Sequence, residues 1–258
     1  METEKEIFNR TERLVGSHAM ERIAQQRVII FGVGGVGSWC AESLVRTGFR
    51  HLTLVDSDCV CPTNVNRQLM ATPHTVGRVK VEALRERLLS INPQADITAI
   101  RQFYTDETAD EFDLDSFSFV IDAIDSLRDK ALLILRACRS QATLFSSMGA
   151  ALKIDPTRVA VAEFWKVKGC PLGAALRRKF KKQGIFPARK FKCVYSEELL
   201  PNLGEASPHD TLPDYKAQVN GTLAHITGIF GLTLAGLVVQ AVTREAAQSE
   251  PPAGKNCP

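Results

Sequence analysis

No C-x-x-C pair occurs anywhere in this 258-residue chain. Its seven cysteines, an odd number, are scattered at positions 40, 59, 61, 138, 170, 193 and 257. That scatter argues against a tetracysteine zinc site and supplies no disulfide framework. Reduced thiols in a cytoplasmic protein are expected, with Cys59 and Cys61 as loop residues. The amino terminus, METEKEIF, is charged and lacks a signal peptide. Internal repeats and long low-complexity tracts are also missing, which leaves one large domain or one domain with an elaborated tail.

Two stretches lack charge of a particular kind. Residues 165–196 carry ten lysines and arginines, among them Arg177 and Arg178, and no acid. Phe180, Phe186 and Phe191 interleave with those charges. A polyanion would suit such a block, and a solvated helix face followed by a loop accounts for it equally. Residues 217–243 have no charged side chain at all and are long enough to span a bilayer. Gln218, Asn220, His225 and Gln240 interrupt the run, so a buried or interface helix is expected rather than a membrane span. Gly221, Gly228 and Gly231 would let it pack closely, and His225 reads as a packed, hydrogen-bonded side chain. Residues 201–215, rich in Pro, Asp and Gly, read as a loop.

What is present begins with Val28-Ile29-Ile30-Phe31, a short apolar, β-branched run that reads as a buried strand. It leads into Gly32-Val33-Gly34-Gly35-Val36-Gly37, a G-x-G-x-x-G loop with a strand before it and a helix, about 38–47, after it. Gly32 permits the tight turn, Gly34 lets backbone approach phosphate, and Gly37 lets the helix pack on the strand. The helix amides then face the anion, with Gly35 in the same loop. A second strand, 51–55, ends at Asp56, placed to bind ribose hydroxyls.

Strands and helices keep alternating. A helix near 76–90 carries Val81, Leu84, Leu88 and Ile91 at helical spacing. Strands are expected at 96–101, 117–121 and 143–146, with a helix at 127–139. After Ala150 the pattern changes, with a strand at 159–164. This alternation predicts an α/β fold: a doubly wound, Rossmann-like, mostly parallel sheet with a C-terminal extension and an apolar tail helix. A nucleotide-binding core of about 20–150 would precede a substrate-binding extension of about 151–258. Ligands in such sheets sit beyond the carboxyl ends of the strands, where the glycine loop, Asp56, Asp122 and Asp125 all fall.

Those residues suit attack by a carboxylate on the α-phosphate of ATP. Both partners are anionic, so the site needs cations, a metal and fixed donors. Asp58, Asn64, Asn66 and Arg67 follow the second strand. Lys80 stands at the start of the next helix, near its apolar stripe but not on it. Asp125 can hold Mg²⁺, with Asp122 as the alternative ligand or as a partner that orients the loop. Arg67, Lys80 and Asp125 would have no task in a nicotinamide dehydrogenase.

GVGGVGS, VDSD, TNVNRQ, GRVKVEALRERLLSINP and VIDAIDS together resemble the ubiquitin-activating-enzyme-like (ThiF/MoeB-like) adenylators. Within them, SWCAESLVRTG, IDAIDS, Ile154-Asp155-Pro156-Thr157 and Cys193-Val194-Tyr195-Ser196 with Glu198 are similar to the tRNA threonylcarbamoyladenosine dehydratases. The resemblance implies ATP and Mg²⁺ bound through Gly34, Asp56, Asn66, Arg67, Lys80 and Asp125. It implies an arm arginine, Arg10 or Arg13, that reaches a partner subunit's site, and therefore a homodimer. It implies dehydration of N6-threonylcarbamoyladenosine in the anticodon loop of tRNA through carboxylate adenylation, without an enzyme thioester. A cysteine desulfurase system is a further candidate partner. The alternative is adenylation of the C-terminus of a sulfur-carrier or ubiquitin-like protein, for which Cys193 would be the tempting thiol. Residues 201–215 depart from the bacterial dehydratase pattern.

Overall fold

The computed structural model describes residues 2–205 and 219–249. Its amino-terminal half runs α1 (Glu2–Val15), α2 (Ser17–Gln25), β1 (Arg27–Phe31), α3 (Gly37–Thr47), β2 (His51–Val55), α4 (Lys80–Ile91), β3 (Asp96–Ile100) and β4 (Phe119–Asp122). There follow α5 (Leu127–Ala137), β5 (Thr143–Ser147), β6 (Val159–Glu163), α6 (Pro171–Gln183), β7 (Lys192–Ser196) and α7 (Ala224–Ser249).

Alternation along β1 decides the layers. Val28 and Ile30 enter one apolar cluster, Ile29 and Phe31 the other, and all four are fully buried. A strand buried on both faces requires helices on both. Residues of α2, α3, α4 and α7 cover the first face, and those of α5 and α6 cover the second. The seven strands lie in the order β3-β2-β1-β4-β5-β7-β6. All pairs are parallel except β6 against β7. The expected doubly wound sheet is therefore present, and the segment after Ala150 extends it with β7 and β6. Chain direction across the sheet reverses between β1 and β4, which opens the crevice where such folds take ligands.

Two elements differ from expectation. α4 begins at Lys80 and not near 76, because residues 73–77 form a turn, Gly77 has φ +87° and Val79 is extended. Val60 N–H donates to Arg78 O (2.8 Å), Gly77 N–H donates to Val60 O (2.8 Å), and Cys59 bridges Val79. The apolar tail is helical only from Ala224. Before it, Gly221 is pinned on both sides: its N–H donates to Asn202 Oδ1 (2.8 Å), and its carbonyl accepts from Leu152 N–H (2.9 Å). Residues 217 and 218, the 201–215 loop beyond residue 205, and Cys257 lie outside the described residues.

α7 is long and apolar enough to cross a membrane by length and composition. In the fold, however, Ile226, Phe230, Leu234, Val238 and Val242 are buried in the first core cluster. Gly231 is the point of closest approach to α3, where a Cβ would lie 2.8 Å from Trp39 Cβ. This is the buried helix that the interrupting polar residues predict. His225 is hydrogen-bonded, with Nε2 2.9 Å from Ile154 O, but it is exposed and not packed as expected.

Candidate active site

The protein itself requires glycine at two positions of the loop after β1. Gly32 has φ +85°, and a Cβ there would lie 2.7 Å from Ala123 O. At Gly37 a Cβ would lie 1.9 Å from Gly32 O. Gly34 is different: its Cβ would meet nothing closer than Gln68 Nε2 at 3.7 Å, an ordinary contact. Internal packing gives no reason for glycine at 34, whereas close approach of a ligand does. Gly35 faces Thr227 of α7, 3.1 Å from where a Cβ would sit.

Asp56 closes this loop from the end of β2. Its Oδ2 accepts Val33 N–H (2.8 Å) and its Oδ1 accepts Asp58 N–H (3.0 Å). Burial pushes its carboxyl above the usual range, opposed by the charge of Lys80 and by those two N–H groups.

The loop after Asp56 carries the cations. Asn64 is buried and shapes the turn: its Oδ1 accepts Cys61 N–H (3.1 Å), and its carbonyl accepts the N–H groups of Arg67 (3.1 Å) and Gln68 (2.9 Å). Trp39 Nε1–H fastens the turn to α3 through Arg67 O (3.2 Å). Ser38 Oγ does so too, donating to Gly34 O (2.6 Å) and accepting Leu69 N–H (3.2 Å). Arg67 Nη1 donates to Thr63 O and Asn66 Oδ1, each at 2.8 Å, and Asn66 Nδ2 donates to Thr222 O (3.0 Å). Burial lowers the Arg67 pKa, and the charge of Asp125 opposes that shift, so the two groups lie within electrostatic reach of each other. Lys80, expected beside the apolar stripe, is instead buried, with Nζ 2.7 Å from Asp58 Oδ2.

Asp122 and Asp125 separate clearly. Asp122 is fully buried, and both its oxygens are taken. Its Oδ2 meets Ser146 Oγ (2.6 Å) and Lys130 Nζ (2.8 Å), and its Oδ1 accepts Ile124 N–H (3.2 Å). This geometry corrects the reading of Asp122 as an alternative metal ligand, since its carboxylate is fully buried and its charge is already matched by Lys130. The other reading, a partner that orients the loop, fits. Asp125 is exposed. Among the described residues no group of three or more His, Cys, Asp or Glu could hold a metal ion. Any cation at Asp125 would draw its other ligands from substrate and water, which is the Mg²⁺ habit.

A match to the ThiF family model spans residues 8–256. The chain belongs to the ThiF family. The tRNA threonylcarbamoyladenosine dehydratase of Escherichia coli (strain K12) is 40% identical over 201 residues, 76% of this chain and 75% of that one. The Bacillus subtilis (strain 168) dehydratase is 35% identical over 243 residues, covering 92% and 95%. The crystal structure of the E. coli dehydratase in complex with ATP is similar at a TM-score of 0.85 and 34% identity, covering 95% of this chain and 97% of that one. Within the ThiF family the chain thus resembles the dehydratases over nearly its whole length.

The segments singled out in the extension for their likeness to the dehydratases meet in space. Glu198 accepts Ile154 N–H (2.8 Å) and Asp155 N–H (2.9 Å), which hold its carboxyl below the usual range. Lys153, buried beside it, donates to Glu198 O, and burial lowers its pKa. Leu152, at φ +61°, is the one non-glycine with positive φ among the described residues. Its strain is held by the bonds of Leu152 N–H to Gly221 O (2.9 Å) and of Leu200 N–H to Leu152 O (3.0 Å).

Cys193 lies fully buried in β7, and burial pushes its thiol well up, so it is a structural cysteine of the strand and not the thiol that the sulfur-carrier alternative would use. Arg10 and Arg13 are exposed on α1. That helix is anchored through Glu4, bonded to Arg50 Nε (2.9 Å) and Asn92 Nδ2 (3.4 Å). Both partners stand before the amino ends of β2 and β3, at the end of the parallel strands opposite the glycine loop.

In the basic block, α6 exposes Arg178, Lys181 and Lys182. Arg177 turns inward, donating to Phe164 O (3.3 Å) with its guanidinium 5.9 Å from the Phe164 ring centre. Phe180 and Phe191 are core residues, while Phe186 is half-exposed beside Trp165.

Sequence reasoning passed over Gln68. It is 7% exposed, it lies over Gly34, and its Oε1 is buried without a partner. The available signal was its place directly after Arg67. For Lys130 no local signal existed.

Proposed function

We propose that this chain adenylates the threonyl carboxylate of N6-threonylcarbamoyladenosine in tRNA, so that the modified base cyclises with net loss of water. The observation that carries this reading is the convergence of Gly34, Asp56, Arg67 and Lys80 with Asp125 at the β1/β4 crevice, in a chain similar to the dehydratases nearly end to end.

On this reading residues 20–150 bind the nucleotide and residues 151–258 bind the substrate. The phosphates of ATP lie over Gly32, Gly34, Gly35 and Gly37, against the amides that open α3. Asp56 takes ribose hydroxyls, since each oxygen keeps a lone pair after accepting one N–H. The carboxylate attacks the α-phosphorus, an O–P bond forms, and the α–β bridge bond breaks to release pyrophosphate. Two anions meet in that step. Arg67, oriented by Asn66 and the Asn64 turn, and Lys80, oriented by Asp58, stabilise the charge gathering on the phosphoryl oxygens.

Mg²⁺ fits Asp125 as a one-carboxylate site and would draw charge from those oxygens when bound. A nucleophile within the same modified base then attacks the activated carbonyl and expels AMP. The oxygen lost by the base leaves on AMP, so no enzyme thioester is needed, which agrees with the burial of Cys193.

The anchorage of α1 at the end of the strands far from the glycine loop supports an arm arginine, Arg10 or Arg13, acting on a second subunit, and so a homodimer. Arg178, Lys181 and Lys182 are our choice for contacts to tRNA phosphates. A cytoplasmic location, where ATP and tRNA are both present, is part of this proposal. A cysteine desulfurase partnership would need an exposed thiol, and among the described cysteines only Cys61 is exposed. The sulfur-carrier alternative lacks both a C-x-x-C pair and an accessible Cys193.

Exchange of labelled pyrophosphate into ATP tests the reading. Exchange is expected only with tRNA carrying threonylcarbamoyladenosine and should vanish in Arg67→Ala. Exchange that requires a carrier-protein C-terminus would replace this reading with the alternative.

A further inference from the structure

Lys130 and Asp122 are each fully buried beneath the crevice, with Nζ and Oδ2 2.8 Å apart. Fully desolvating two charges costs several kcal/mol per ion after relaxation, and mutual attraction often only offsets it. Well-packed apolar side chains would serve stability as well. The pair therefore calls for a role other than holding the fold together.

Its hydrogen bonds converge on one residue, taking the peptide on each side of its Cα. Asp122 Oδ1 accepts the N–H of Ile124 (3.2 Å), and Lys130 Nζ donates to the carbonyl of the same residue (3.0 Å). Ser146 Oγ, donating to Asp122 Oδ2 at 2.6 Å, ties the pair to β5. On one side, Ala123 N–H is bonded to Phe31 O (2.9 Å), and Ala123 O sits where any side chain at 32 would strike it. On the other, Ser126 caps α5 by accepting Asp129 N–H (3.5 Å). Asp125 is thus the exposed residue between two immobilised neighbours.

We infer that Lys130, Asp122 and Ser146 form a positioning device that clamps the backbone on both sides of Ile124 and thereby aims the Asp125 carboxylate. The device also joins the Asp125 loop to the glycine loop through Ala123, so the metal-facing carboxylate and the phosphate-facing turn keep one geometry. This inference rests on the role proposed above for Asp125.

The test is the double variant Asp122→Asn with Lys130→Met, which removes both charges and leaves neither buried alone. Its melting temperature should stay within a few degrees of the wild type. Direct titration of Mn²⁺ into the protein with a non-hydrolysable ATP analogue should show affinity reduced at least about tenfold, the usual cost of losing an outer-shell partner. Turnover should fall by a similar factor with the KM for ATP little changed, and hydrogen exchange at the Ile124 amide should accelerate. Wild-type Mn²⁺ affinity and turnover in the folded double variant would overturn the clamp.

If the double variant does not fold, Ser146→Ala should show the same split between turnover and KM at smaller amplitude, and its absence would equally overturn the clamp. Asp125→Asn separates the two claims. Its inactivity together with a wild-type double variant would remove only the clamp. An active Asp125→Asn would remove the role of Asp125 and the clamp with it.

Discussion

Lys80 Nζ lies 2.7 Å from Asp58 Oδ2, and this ion pair ties the first turn of α4 to the loop after β2. Lys80 is buried while Asp58 is open to solvent. The lysine is therefore aimed, and its charge is only partly screened. Lys80→Met is expected to lower the adenylation rate on the order of 10²–10³-fold with the fold intact. Asp58→Asn, which frees the lysine without removing it, should cost about tenfold. Single-turnover AMP formation checks both. Equal losses in the two variants would mean that Asp58 does more than orient.

Arg67→Ala should lose a comparable 10²–10³-fold in the chemical step. Arg67 is held by Thr63 O and Asn66 Oδ1. Asn66→Ala should therefore retain ATP affinity and lose part of the rate. A fall confined to ATP affinity would make Arg67 a binding residue only.

Gly34→Ala and Gly37→Ala divide structure from function. Alanine at 37 would drive its methyl into Gly32 O, so the variant should fail to fold or melt far lower. Alanine at 34 meets only Gln68 Nε2 at 3.7 Å, so the melting temperature should hold while ATP affinity falls. Calorimetric titration with ATP decides this. Unchanged affinity in Gly34→Ala would remove the glycine from the phosphate site.

Much of this site is legible in the sequence because it is local. The run Val28–Phe31, the glycine spacing and Asp56 at a strand end each follow from neighbours a few residues apart. What was not legible is long-range. Asp122 reads as a possible ligand until Ser146, 24 residues on, and Lys130 occupy it. The start of α4 is set by pairing of residues 77–79 with 59–60, which no helical period reports. Arg177 and Arg178 are adjacent and look alike in sequence, and only the position of Phe164 sends one inward.

That difference is testable. Charge reversal at Arg178, Lys181 and Lys182 should leave melting unchanged. It should weaken tRNA binding and lower the salt slope by about one for each phosphate no longer neutralised. ATP binding should be spared. Arg177→Glu should instead lower the melting temperature by several degrees, since its guanidinium no longer bonds a carbonyl or covers a ring. Unchanged tRNA affinity in the triple reversal would take α6 out of the interface.

Glu198 gives the chain an acid-side signature. Its two backbone N–H partners hold the carboxyl below the usual value of about 4.3. A folded-state pKa below the unfolded one contributes stability that is present above the unfolded value and is lost as pH falls through the folded one. The melting-temperature gap between wild type and Glu198→Gln should be full at neutral pH and close as pH falls below about 4. A gap that stays constant would mean the charge of Glu198 is irrelevant to stability.

The decisive measurement is to incubate the protein with ATP, Mg²⁺ and tRNA bearing threonylcarbamoyladenosine, digest the tRNA, weigh its nucleosides and follow AMP. Loss of one water from that nucleoside is expected, with AMP formed only when the modified tRNA is present. AMP without the mass change, or no AMP at all, would contradict adenylation of the threonyl carboxylate by this chain.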